Sequence, residues 1–146
     1  RLRGQRDVKV LEASAAILFV VLAVIATLLR PHWSVFELRL LIDLGLVVVT
    51  LGSVLIGRPF TLQYAREQVP QDRWGHPLFI AANRHISLVW TAAFIVETLA
   101  NAAIAWGNGI PVVLPIAANI AAFAGAIYFT VEYPKRLRAR ARAGAA

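Results

Sequence analysis

The chain contains no cysteine and no methionine, and it is poor in charge. Without cysteine there is neither a disulfide nor a thiolate metal site, and the redox compartment leaves no mark. Without methionine, a trimmed N-terminus is expected. Charged residues fill only 16% of the 146 positions, where soluble domains carry about a quarter. That deficit argues against a soluble fold before any segment is inspected. Also missing are a glycine-rich phosphate loop, a GxSxG nucleophile elbow and an HExxH zinc motif, so no familiar catalytic signature points to an enzyme.

What is present is apolar. Hydrophobic residues make up 59% of the chain and gather in four runs, 10–29, 38–56, 86–106 and 110–131. About twenty residues rising about 1.5 Å each cross a hydrocarbon core about 30 Å thick. The first run is longer than the apolar part of a secretory leader (about 7–15 residues) and ends in Leu28-Leu29-Arg30-Pro31. A span is expected there, not a cleaved signal. The second run holds Asp43 as its one internal charge once Arg39 snorkels outward. The third helix is predicted to start near Pro77, on the aqueous side, and to enter the membrane around His85. Trp106-Gly107-Asn108-Gly109 then forms an uncharged turn. Pro111 and Pro115 fall in the first turns of the fourth run, where proline costs least. The expected fold is all-α: one domain, a four-helix transmembrane bundle of two hairpins, with an interfacial helical hinge over 57–85.

Small residues mark close helix contacts. Gly45 and Gly52 share a face, and so do Ala118, Ala122 and Ala126, and Ala121 with Gly125. Trp33 and Phe36, in the first connection, suit the headgroup level.

A net charge of +7 on a soluble protein would suggest nucleic acid. Here the basic residues flank apolar runs, which points to anionic lipid and away from nucleic acid. Thirteen of the Lys and Arg residues fall in the N-terminal tail, the hinge and the tail over 132–146, against two, Arg30 and Arg39, on the other side. By the positive-inside rule both termini and the hinge face the cytoplasm, with the C-terminal tail on the lipid surface or disordered.

Ionisable groups at membrane depth are costly and therefore informative. Glu97 falls near the middle of the third span, with Asn101 one turn further on the same face. Asp43 on the second span lies at a matching depth, ~8 Å below the outer surface. Thr50 and Asn119 fall near the midplane. Asp43, Thr50, Glu97, Asn101 and Asn119 are thus a candidate polar seam. It admits three readings: a proton or ion relay, a protonated Glu97 bonded to Asn119 or a carbonyl as interhelical glue, or a contact with another subunit. His32, His76 and His85 all lie outside the spans or at their edge. Haem would need two facing histidines within the bundle, and only His85 comes near, so no cofactor is expected. Zinc would need more ligands than this spacing offers.

The hinge is denser in special residues than a connector requires. Pro59 opens a short helix on which Phe60, Tyr64 and Glu67 recur at helical spacing. Val69-Pro70 ends it, Pro70 to Trp74 forms a further turn, and Gly75-His76-Pro77 is another. Arg58, Phe60, Tyr64, Arg66, Glu67, Trp74, Asn83 and Arg84 form a candidate cap or docking surface. Its arginines, Arg73 included, either bind lipid phosphates or serve as topology signals paired with Glu67 and Asp72.

The string Gly57-Arg58-Pro59-Phe60-Thr61-Leu62-Gln63-Tyr64-Ala65-Arg66-Glu67, followed by Trp74, the pair Asn83-Arg84 and Val89-Trp90, resembles small four-helix inner-membrane proteins of bacteria. The resemblance covers about a quarter of the chain. It implies four spans in a bacterial inner membrane and carries no activity. The expected role is a non-enzymatic accessory or scaffold subunit, bound to other membrane subunits or to copies of itself. The rivals are a small oligomeric proton-coupled transporter or channel using Glu97 and Asp43, and a pigment- or cofactor-binding subunit.

The orientation is testable because any introduced thiol is the only one. A Gln71→Cys variant should resist an impermeant thiol reagent applied from the periplasm and react once the cytoplasmic face is opened. Labelling from the periplasm would invert the topology.

Overall fold

The computed structural model describes residues 10–29, 34–107 and 109–143. The expectations for the basic N-terminal tail, for Arg30, His32 and Trp33, for Asn108 and for the Phe36 side chain lie outside the described residues. Among the described residues there are five α-helices and no strand. They are α1 (Val10–Leu29), α2 (Val35–Leu55), α3 (Phe60–Arg66), α4 (Pro77–Trp106) and α5 (Val113–Ala143), with a 3-10 turn at Gln71–Arg73 before α4. Three of them, α2, α4 and α5, are long and apolar enough to cross a membrane, which marks a membrane protein. α1 fills its expected range, but its described apolar stretch, Glu12–Ile25, is shorter than a span.

Local chemistry explains where the ends depart from expectation. α2 starts before the apolar run because Ser34 and Glu37 form a capping box. The Glu37 N–H donates to Ser34 Oγ at 3.2 Å, and the Ser34 N–H donates to Glu37 Oε2 at 2.7 Å. α2 stops in a Schellman turn: Arg58 N–H donates to the Ser53 carbonyl at 2.9 Å, and Gly57 takes the left-handed φ of 78°. His76 caps α4, its Nδ1 accepting from the Leu78 N–H at 3.2 Å, and Pro77 fills the first helical position. The basic tail is not a separate segment. α5 runs through Pro134 to Ala143, because Lys135, Arg136, Leu137, Arg138 and the intervening alanines are strong helix formers. Lys135 also bonds Glu132 one turn back at 2.7 Å.

The long helices pack in chain order. Among the described residues α1 packs on α2, α2 on α4 and α4 on α5, while α2 with α5 and α1 with α4 or α5 make at most slight contact. The helices form a row rather than a closed ring. α2 and α4 are antiparallel: Asp43 meets Asn101 at one end, and Thr61, just after α2, meets Ser87 and Asn83 at the other. α4 and α5 are antiparallel too. Trp90 Nε1 donates to Thr130 Oγ1 at 3.0 Å, and Trp90, Phe94 and Phe123 form an aromatic cluster with centroids 5.8 to 6.0 Å apart. Ala126, almost fully buried, lets the two backbones approach.

The two glycines of α2 differ. A Cβ at Gly45 would collide with the Leu18 side chain of α1, whereas one at Gly52 would meet open space. Gly45→Leu should therefore loosen α1, at a cost of roughly 1–3 kcal/mol. Gly52→Leu should be neutral or stabilise by up to about 1 kcal/mol through helix propensity. Thermal unfolding of both variants in detergent checks this, and equal effects would place α1 elsewhere.

Candidate functional site

Polar side chains gather at both ends of the α2–α4 contact. At the first end, Asn101 Nδ2 donates to Asp43 Oδ2 at 2.6 Å, with Asp43 5% and Asn101 7% exposed. Leu40 on α2 and the small Ala100 on α4, both buried, lie beside it. Beside it stand Arg39, one turn before Asp43, and Glu97, one turn before Asn101. Arg39 Nη2 lies 3.8 Å from Glu97 Oε1, the arginine side chain 56% exposed and the glutamate 17%. Each carboxyl group thus has its own partner, an amide for Asp43 and a guanidinium for Glu97. The Asp43–Asn101 bond is short and buried. The Arg39–Glu97 pair is looser and open on the arginine side, so it contributes less.

Of the five seam residues, three come together here: Asp43, Glu97 and Asn101. Thr50 is fully buried but donates to the Leu46 carbonyl of its own helix at 2.8 Å. Asn119 sits on α5, which packs on α4 and has at most slight contact with α2. Its buried Oδ1 has no hydrogen-bond partner among the described residues. Glu97 faces Arg39 instead.

At the second end the clustered residues are hydroxyls, and the sequence reading missed most of them. Pro59 caps α3 but has no side-chain acceptor for the free N–H groups of the first turn. Neighbouring helices supply the acceptors. The Phe60 N–H donates to Ser53 Oγ of α2 at 3.1 Å, and the Thr61 N–H donates to Ser87 Oγ of α4 at 3.4 Å. Thr61 gives its hydroxyl proton to the Asn83 carbonyl at 2.9 Å, so in the 2.8 Å bond between Thr61 Oγ1 and Ser87 Oγ the serine donates. Ser53 Oγ donates in turn to the Thr50 carbonyl at 2.7 Å, and Thr91 Oγ1 to the Ser87 carbonyl at 2.9 Å. The usable signal was the spacing of Asn83, Ser87 and Thr91, which puts three polar residues in one line on α4.

The hinge residues divide into buried and open. Phe60 and Asn83 are buried, and Asn83 Nδ2 donates to the Phe79 carbonyl at 2.9 Å. The Arg66 guanidinium lies over the Trp74 ring at 5.2 Å, and Trp74 Nε1 donates to the Val69 carbonyl at 2.9 Å. Tyr64 is half-buried. Arg58, Glu67 and Arg84 are exposed and make up the outward surface. His85 Nδ1 bonds the Ala81 carbonyl at 2.8 Å and packs beside Tyr133, their ring centroids 5.7 Å apart. Among the described residues, no group of three or more His, Asp and Glu side chains converges as metal ligands do.

No protein-family model matches the sequence, and neither a curated protein nor a solved structure is similar to it. Function therefore has to be argued from the residues.

Asn101→Leu removes the donor and leaves Asp43 buried alone, which should lower stability by about 1–3 kcal/mol. Asp43→Asn keeps a donor facing an acceptor and should stay within about 1 kcal/mol of the parent. Thermal unfolding in detergent separates the two. Equal losses would mean that the charge on Asp43, and not the bond, holds the helices.

Proposed function

We propose that this protein is a non-enzymatic accessory or scaffold subunit of a membrane assembly. In this reading α1 is a fourth span, and the hinge and both termini face the cytoplasm of a bacterial cell. The observation that carries the role is the row of helices. A row leaves its flanks uncovered, and α5 is one of them. Only 11% of its most apolar stretch is buried, against 28% for α2. The uncovered side of α5 holds Ala118, Ala121 and Gly125, where a Cβ on Gly125 would meet open space. In lipid, helices associate through close backbone packing, and such a face allows it.

The seam supports the transporter reading less. A proton carrier has to exchange partners, and Asp43 already holds a short buried bond to Asn101. Glu97 has Arg39 beside it, which favours a fixed charge pair. The hydroxyls at the other end are saturated by the first turn of α3. Both clusters serve to hold α2 and α4 in one arrangement, as a scaffold requires.

The test uses single-cysteine variants of the whole chain in native membranes, each carrying a thiol-linked photo-crosslinker. Ala121→Cys on the bare side of α5 should give one discrete protein adduct. Val48→Cys, 69% exposed on the middle helix α2, should give none. No adduct at Ala121, or the same products from both sites, would remove the accessory reading.

A further inference from the structure

A second feature lies at the hinge end of the molecule. The chain leaving α3, the start of α4 and the last turns of α5 enclose a half-open groove of about 560 Å³. That volume is within the range of small-molecule sites. Three guanidinium groups line it: Arg73 from the 3-10 turn, and Arg138 and Arg142 from α5. Among the described residues no carboxylate pairs with any of the three. His76 also lines it. Its Nδ1 accepts from the Leu78 N–H, so the neutral ring carries its proton on Nε2, a further donor. The remaining wall is apolar, with Val69, Pro70, Leu78, Phe79, Pro134 and Leu137.

We infer that this groove binds one anionic phospholipid, its phosphate held by Arg73, Arg138 and Arg142 and the first carbons of its chains laid on the apolar wall. Three features select that occupant. The cationic lining holds no acid, so it complements an anion, and a guanidinium fits a phosphate with paired N–H donors. The wall beside those cations is apolar, which suits an amphiphile better than a free ion. The groove also sits where α5 turns from its apolar run into Glu132, Lys135 and Arg136, the level at which headgroups lie. It joins the hinge to the end of α5, two parts more than fifty residues apart in sequence, so a bound lipid would tie them together. The site needs no partner subunit and stands whether or not the accessory role holds.

The experiment is native mass spectrometry of the whole chain, delipidated in a mild non-ionic detergent. It is titrated with phosphatidylglycerol or with phosphatidylcholine bearing the same acyl chains. The expected result is one retained phosphatidylglycerol per chain, bound at least about tenfold tighter than phosphatidylcholine. The triple variant Arg73→Gln, Arg138→Gln, Arg142→Gln should lose that preference. A second triple, Arg58→Gln, Arg84→Gln, Arg140→Gln, removes the same charge from exposed positions outside the groove and should keep it. Equal affinity for the two lipids in the parent protein would overturn the proposal, whatever the variants do. So would equal losses in the two triples, which would indicate diffuse attraction to a basic surface. Displacement of the lipid by millimolar inorganic phosphate would mark a site for soluble anions instead, and also overturns it.

Discussion

Between α2 and α4 every buried polar group has to find its partner inside the protein, because a lipid-facing helix pair has no water to turn to. Asn101 meets Asp43 at one end of the pair. At the other, Ser53 and Ser87 take the N–H groups of Phe60 and Thr61 that Pro59 cannot cap. The two ends do different work. The first sets the register of two antiparallel helices. The second fastens the hinge to both of them, so α3 lies against α4 and the chain re-enters α4 at a defined place. α1 and α5 then attach to the outer sides of this pair, α1 where Gly45 admits Leu18 and α5 where Ala126 and the Trp90 cluster meet α4.

The features that were legible in the sequence depend on local patterns or on depth in a membrane. The apolar runs located α2, the end of α4 and the start of α5 to within a few residues. Proline and glycine spacing located α3, the 3-10 turn and the start of α4. Asp43 could be matched with Asn101 because a charged and an amide residue at similar depth on adjacent antiparallel spans have few other partners. What was not legible depends on which faces meet. Asn119 lies at a plausible depth, but α5 packs on α4 and scarcely reaches α2, and no hydropathy pattern encodes that order. Ser53 and Ser87 looked like ordinary helix hydroxyls, which commonly bond their own backbone. Their role appears only once α3 is placed against them. The continuation of α5 past Val131 was not legible for a different reason. Loss of hydrophobicity ends a span but not a helix, and the alanine- and arginine-rich tail keeps its helical preference.

The row has a consequence for energetics. In a closed bundle each helix buries two flanks. Here α5 buries one, and most of its apolar surface faces outward. In lipid that exposure carries no hydrophobic penalty, so a row is stable there although it would not be in water. Stability must then come from specific contacts. The short Asp43–Asn101 bond, the hydroxyl cluster and the aromatic triangle are distributed along α4, the one long helix with a large contact on both sides.

The basic groove and the bare side of α5 belong to the same helix but to different environments. Through Val131, α5 is apolar and rich in alanine; beyond it, the helix carries the cations that line the groove. A continuous helix joins the two parts across Pro134, which a disordered tail would not. Anything that engages Arg138 and Arg142 therefore also constrains the rotation of α5 about its own axis. That rotation decides whether Ala118, Ala121 and Gly125 face outward. The hinge supplies the third cation, Arg73, from the far side of the groove, so the orientation of α5 is set against α4 at its middle by Trp90 and Thr130 and against the hinge at its end. An anion in the groove would add to the second of these constraints without touching the first.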